Sequence, residues 1–481
     1  MKRLYEALYK YPGKGYYPAH MPGHKGRIDN GFLKEALRYD ITEIDGFDNL
    51  HDAKGLIAES EKYAAGLYGS SETHYLVGGS TSGILSAILG VTKPGGKIIA
   101  GRNCHRSVYN AVCEGRLECR YLYPEYMKGP GILGGISPHS VEEAIKKDPD
   151  AAAVVITSPT YEGVCSDIRE IAAICRRYEK ILITDGAHGA HFGFDDRFPQ
   201  SAVREGADIV IHSVHKTLPS PTQTALLHIN GELVNRDRIR RKLKIYQSSS
   251  PSYLLMAGID YCMTIIGDGG NDLFNDFYLR ACKLSEGLKD LKCLRHISRD
   301  MLRSLEGIYD ADPGKLIIST RGAGITGREL YDILRKEYRI QPEMATDEHC
   351  LLILTIMDTQ EGFERIENAI KCIDEKLFEK NGCRSMSADP DICVYSLYSR
   401  EAREAVPLYE AVDADSHILG LDHAAGCISA GFISLYPPGI PLLVPGEEIE
   451  EEHIGIIEKA LDMGLNIQGL SNENEVEIQV L

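Results

Sequence analysis

Between about residues 57 and 290 the chain alternates short β-branched apolar runs with amphipathic stretches, and this alternation constrains the fold more than any other feature. The runs are Thr73 to Val77, Lys97 to Ala100, Ala153 to Thr157, Ile181 to Thr184 and Ile209 to His212. Segments of that length and composition are strands, and helices between them act as crossovers, so the expectation is an α/β fold with a mostly parallel sheet. Each run is followed by polar or Gly-rich residues. In open parallel sheets ligands sit beyond the carboxyl ends of the strands, so the residues just after these runs are where a site should assemble.

The fifth run ends on Ser213-Val214-His215-Lys216-Thr217. Most lysines at a strand end simply solvate a face. A lysine held partly deprotonated by its surroundings is instead a Schiff-base nucleophile, and hydroxyl and imidazole donors beside it suit a phosphate. The first run leads through Gly78-Gly79-Ser80-Thr81-Ser82-Gly83 into an apolar, helix-compatible segment. That is the geometry in which free backbone N–H groups and a helix start bind phosphate, and equally that of a tight turn with an N-cap. The second run puts His105 at a strand end within Gly101-Arg102-Asn103-Cys104-His105-Arg106-Ser107, where an imidazole can stack on a flat ring. The fourth runs into Asp185-Gly186-Ala187-His188-Gly189-Ala190-His191. A buried carboxylate needs a partner, and a protonated pyridine nitrogen would keep it ionised. Asp185, His188 and His191 also invite a metal reading, but one turn supplies no spaced third ligand of the kind zinc helices show, so no metal is expected.

Seventy acidic against 53 basic residues give a net charge of −17, which argues against nucleic acid as a partner. The 13 cysteines include no CxxC pair and read as reduced thiols. No secretory leader is visible at Met1-Lys2-Arg3, and no apolar run reaches the roughly 20 residues a membrane helix needs, so a soluble, cytoplasmic protein is expected. Residues 1–56, rich in Gly, Pro and His, read as an irregular arm, and 57–310 as the large domain. A small α/β domain over 311–389 should hold strands at Lys315 to Thr320 and Leu351 to Met357, with helices at Gly327 to Tyr338 and Glu361 to Phe378. The segment 390–481 contains Tyr436-Pro437-Pro438-Gly439-Ile440-Pro441, whose prolines argue against regular structure.

A phosphate loop, a histidine, an aspartate and a lysine on successive strand ends resemble the aspartate aminotransferase fold of pyridoxal phosphate enzymes, fold type I. Finer strings resemble one branch, the Orn/Lys/Arg decarboxylase family in its short form. They are His20-Met21-Pro22-Gly23-His24-Lys25-Gly26, Asp40-Ile41-Thr42-Glu43-Ile44-Asp45-Gly46, Arg102-Asn103-Cys104-His105, Ser158-Pro159-Thr160-Tyr161-Glu162-Gly163, Ser213-Val214-His215-Lys216-Thr217 and Tyr436 to Pro441, continuing to Pro445-Gly446-Glu447. Together they run from end to end of the chain, and the last marks a C-terminal domain that a generic aminotransferase lacks.

The resemblance implies a seven-stranded-type central sheet and pyridoxal phosphate as cofactor. Lys216 would link to it covalently, Asp185 would hold the pyridinium N–H, His105 would stack on one ring face and Ala187 would touch the other. Ser80, Thr81, Ser82, Ser213 and His215 would hold the phosphate, His188 would lie beside the cofactor, and the stretch around Ser249 would reach a neighbouring subunit's site, implying at least a homodimer. The implied reaction is decarboxylation of a basic amino acid, arginine ahead of lysine or ornithine, on a route into polyamines. Lys216 and His215 are both candidates to reprotonate the α-carbon. Glu43, Asp45, Glu162 and Glu447 are candidates for the substrate's distal cation, which needs a partner if buried. Gly78 and Gly186 depart from the family pattern, standing where relatives commonly carry Asn and Glu. The alternatives are an aminotransferase or β-eliminating lyase of the same fold, disfavoured by the Tyr436 to Glu447 string, and a noncatalytic relative acting as a binding protein.

Overall fold

The computed structural model describes residues 3–17, 19–22, 24–25, 31, 33–381, 398–436, 439–471 and 476–481. Of the strings above, Gly23, Gly26, Pro437 and Pro438 lie outside the described residues, as does the expected boundary at 390. The central sheet has seven strands: β1 Glu72–Leu76, β2 Lys97–Gly101, β3 Glu118–Leu122, β4 Ala153–Thr157, β5 Ile181–Asp185, β6 Ile209–His212 and β7 Ala225–Ile229. Their order is β1-β7-β6-β5-β4-β2-β3. The run from β6 to β3 is parallel throughout, and β7 is antiparallel to both β6 and β1. All five expected strands are present within a residue of their expected ends. The sequence reading passed over β3 and β7, the latter joined to β6 by a short connection instead of a crossover helix.

Strand residues alternate between two cores, because successive side chains of a strand point to opposite faces. Val154, Ile156, Leu182 and Val210 pack on one face. Ala153, Val155, Ile183, Ile209 and Ile211 pack on the other. Both faces are therefore apolar, as expected of a parallel sheet covered on each side. Helices α1 Gly79–Val91, α2 Arg106–Gly115 and α3 Arg236–Tyr246 cover one side. On the other lies α4 Tyr253–Gly287, a 35-residue helix with Tyr253, Met256, Ile259, Met263 and Phe274 buried at helical spacing. The N-terminal arm is less irregular than its composition suggests. It opens with a helix at Leu4–Lys10, whose i, i+4 pair Leu4 and Leu8 is buried in the same core.

The small unit holds a four-stranded antiparallel sheet: β8 Arg295–Ile297, β9 Lys315–Ser319, β10 Met344–Ala345 and β11 His349–Ile353, in the order β8-β9-β11-β10. Helices α5 Gly327–Lys336 and α6 Gln360–Asn381 accompany it. The expected strand at 351–357 begins and ends earlier. Leu354 donates its amide to Gly314, and the chain then turns towards α6. C-terminal strands β12 Ile433–Leu435, β13 Pro441–Leu443 and β14 Ile467–Gln468 pair around β12. Pro441 thus opens a strand, which corrects the expectation that the prolines exclude one. It sits at the start of an edge strand, where a missing N–H is tolerated. Ile433, Leu435 and Leu442 share a core with Ile317 and Leu351 of the small sheet.

Candidate functional site

A cleft of about 470 Å³ opens beyond the carboxyl ends of the parallel strands. Its lining includes Ser80, Asn103, His105, Thr157, Asp185, Ala187, His188, His215 and Lys216 from the large sheet, Tyr161 and Glu162 from the loop after β4, and Glu343 and Tyr436 from the later units. A larger hollow of about 680 Å³ lies elsewhere, against α3 and β1, and holds none of these residues.

Local chemistry fixes each group. Asp185 ends β5 opposite Thr157, is buried, and accepts the Ala187 amide at 3.2 Å through Oδ1. His105 is the N-cap of α2. Its Nδ1 accepts the Ser107 amide at 3.2 Å and lies 2.8 Å from the Ser107 hydroxyl, which sets the ring's direction. His215 donates from Nδ1 to the Thr224 carbonyl at 2.8 Å. Burial lowers its pKa, so the ring is neutral with Nε2 left as an acceptor. Lys216 sits 3.0 Å from His188 Nε2. Enclosure pushes the Lys216 pKa below the ordinary lysine value, against the pull of Asp185 and Glu343. Behind Asp185, burial pushes the Cys104 thiol up to about 12, so it is no thiolate nucleophile.

Seven of the expected cofactor residues, Ser80, His105, Asp185, Ala187, His188, His215 and Lys216, line this one cleft. Four do not. Thr81 is exposed on the first turn of α1, and Ser82 is buried with its hydroxyl donating to the Gly79 carbonyl at 2.8 Å. Ser213 is fully buried and its Oγ has no hydrogen-bond partner among the described residues. Ser249 is exposed in the loop after α3. The four carboxylates also separate. Glu162 lines the cleft, while Glu43 and Asp45 lie away from it. Glu447 is buried against Arg102, at 3.0 and 3.1 Å from Nη2, and accepts the Val444 amide. A carboxylate so engaged is not available to a substrate, which removes Glu447 from the candidates. His188 and His191 diverge, the former towards two lysines and the latter to Asp312 at 3.1 Å, so they do not converge on a metal.

Lys315, Tyr161 and Glu343 went unassigned in the sequence. Lys315 opens β9, is buried, and lies 3.3 Å from His188 Nδ1. Tyr161 donates to Glu343 and its ring centroid lies 4.5 Å from that of His188. A lysine heading a fully buried strand was the available signal for the first. Glu343 carried none, because its place depends on how the small unit folds back.

The departures at two glycines have a local cause. A Cβ at Gly186 would lie 3.0 Å from the His212 ring, and one at Gly78 would lie 3.0 Å from Ser82. The cleft also fits pyridoxal phosphate on its own polar atoms. Asn103 and Thr157 line it, with Oδ1 and Oγ1 without partners among the described residues, Ser80 lines it from the first turn of α1, and an acid stands at the end of β5.

Comparison with known proteins bears on the family and the fold. The chain is 32% identical to arginine decarboxylase of Bacillus subtilis (strain 168), over 99% of this chain and 97% of that protein. It superposes on the Escherichia coli constitutive lysine decarboxylase with a TM-score of 0.82 at 19% identity, over 99% of this chain and 81% of that one. The ureidoglycine–glyoxylate aminotransferase of Bacillus subtilis shares the fold at a TM-score of 0.55 and 15% identity, over 73% of this chain and 90% of that one. Residues 2–362 match the Orn/Lys/Arg decarboxylase major domain and residues 395–468 its C-terminal domain. The chain belongs to the Orn/Lys/Arg decarboxylase family.

Proposed function

We propose that this protein holds pyridoxal phosphate through Lys216 and decarboxylates a basic amino acid, arginine first and lysine or ornithine next, to the amine and carbon dioxide. The observation that carries the proposal is the meeting of Lys216, Asp185 and His105, from three separate strand ends, in one cleft with Glu162 and Glu343 on its wall. When bound, the cofactor supplies an electron sink for breaking a bond at the α-carbon. Asp185, buried at the end of β5, would stand as the counter-charge to a proton on the ring nitrogen. His105, its ring direction set by Ser107, would cover one face of the ring, and Ala187 would add little bulk on the other. Ser80, on the first turn of α1, would take the phosphate.

Lys216 is the better candidate to return a proton to the α-carbon, because the neutral ring of His215 commits its N–H to the Thr224 carbonyl. Glu162 and Glu343 give a cationic side chain its counter-charge. The name of the Bacillus subtilis relative supports arginine. The amine would feed polyamine synthesis in the cytoplasm, and the exposed Ser249 loop would complete a neighbouring site in a homodimer.

Incubation with pyridoxal phosphate and arginine, lysine or ornithine in turn, followed by assay of carbon dioxide and amine, tests the reading. Carbon dioxide from arginine is expected, and none from any of the three would overturn it. Lys216→Ala should lose the absorbance of the lysine-linked cofactor, and an unchanged spectrum would remove the lysine assignment.

A further inference from the structure

His188 lies between two lysine ammonium positions, Lys216 Nζ 3.0 Å from its Nε2 and Lys315 Nζ 3.3 Å from its Nδ1. The ring is buried, with both neighbours and the lack of solvent pushing its pKa well below the ordinary value. A neutral imidazole has one N–H and one lone pair, and an ammonium offers only protons. Two ammonium groups would therefore set an N–H against an N–H on one side. Both contacts form only if one lysine is a free amine. An imidazolium between two free amines would satisfy the same contacts. The roughly four-unit gap between ordinary lysine and histidine pKa values places the shared proton on a lysine instead.

Burial lowers the pKa of both lysines, and their acidic neighbours differ. Lys315 faces Asp312, Glu162 and Glu343, whereas Lys216 faces Asp185 and Glu343. Asp312 is itself held by the Gly314 amide and by His191 Nε2, at 2.8 and 3.1 Å. The lysine stem is also built in. Gly163, at φ +92°, passes so close that a Cβ there would stand 2.6 Å from Lys315 Cγ and 2.9 Å from Asp312 Cβ. The loop after β4 thus leaves room for a side chain to bring its charge up behind His188.

From this we infer that Lys315 is a positioning residue whose ammonium donates to His188 Nδ1, so that His188 donates from Nε2 to Lys216 and holds Lys216 as the free amine. The inference rests on the reading of Lys216 as the cofactor-linking lysine. The relay is balanced when it runs. A proton passes from Nε2 to the Lys216 lone pair as another passes from Lys315 to Nδ1, which leaves Lys216 an ammonium, Lys315 an amine and the ring neutral in its other tautomer. Lys216 is then both a ready nucleophile and a rechargeable proton source. The other titratable groups lining the cleft with Lys216 are His105, His188, His215, Tyr161, Tyr436, Asp185, Glu162 and Glu343. Asp185 and Glu343 draw Lys216 towards the ammonium, and Lys315, across the His188 ring, is the cation set against them.

The test is the rate at which cofactor-stripped protein links pyridoxal phosphate, followed by absorbance from pH 6 to 10. Lys315→Met should raise the pH midpoint of linkage by about one unit, equivalent to about tenfold slower linkage near neutral pH. Lys315→Arg, which keeps the cation, should restore most of it. His188→Phe should move the midpoint in the same direction, and serves if Lys315→Met does not fold. A folded Lys315→Met or His188→Phe protein with an unmoved or lowered midpoint would overturn the relay. So would a variant whose only change is a higher KM, the mark of a lysine that binds substrate carboxylate. Linkage persisting in Lys216→Ala would instead overturn the reading of Lys216, so the two failures are distinguishable.

Discussion

At position 186 the absence of a side chain is a packing requirement. The β-carbon an alanine would add lies 3.0 Å from His212 Cδ2 and 3.4 Å from the Ile211 carbonyl. His212 is buried, hydrogen-bonded to His228 at 3.1 Å and beside the Tyr68 ring, so it has little freedom to give way. Gly186→Ala should therefore cost about 1–3 kcal/mol, as overpacking of a filled core does, and a lower urea midpoint is the check. At this scale the sequence was legible where chemistry sits beside a strand end. His105, Asp185, His215 and Lys216 each follow a recognisable apolar run and meet in the cleft. Thr81 and Ser82 fall outside the cleft lining for a plain reason. The three hydroxyls of Ser80-Thr81-Ser82 lie about 100° apart around the first turn of a helix, so they cannot all face one ligand.

Among the elements, the apolar β-branched runs announced five strands, but β7 and the 35-residue α4 were not read. In β7, Ala225-Leu226-Leu227-His228-Ile229 fits helix and strand alike by periodicity, and tertiary pairing with β6 and β1 settles it. The connection between sheet and C-terminal unit was equally hidden, because its two charges are 345 residues apart. Arg102, just past β2, reaches the Pro441 and Leu442 carbonyls and Glu447 while fully enclosed. Glu447→Ala should cost about 3–5 kcal/mol by leaving that cation unpaired. Arg102→Met with Glu447→Leu should cost clearly less than the sum of the single changes, and a double-mutant cycle in urea measures the difference.

For the molecule as a whole, acid stability follows from its buried histidines. Burial lowers His212 to about 3 and His296, His349 and His453 to about 4. Each stays neutral in the folded chain while its unfolded counterpart takes up a proton below about 6.5. Their contribution is thus fully present above pH 6.5 and is lost as pH falls, at up to about 1.4 kcal/mol per unit for each. Glu61 and Glu205, raised by burial to about 7, act in the opposite sense over the same window. Four such histidines against two such glutamates leave a net loss, so the urea midpoint should fall from pH 6.5 to 4.5, and a flat or rising midpoint would contradict it. The Arg102–Glu447 contact has a further consequence, for the timing of synthesis. Arg102 lies three residues before His105, and its carboxylate partner is translated 345 residues later. A nascent chain can lay down the central sheet well before residue 447 leaves the ribosome, yet the loop carrying His105 lacks its anchor until then. Chains truncated before residue 447 should therefore emerge with the sheet formed but the loop carrying His105 unanchored, which faster proteolysis at that loop would report.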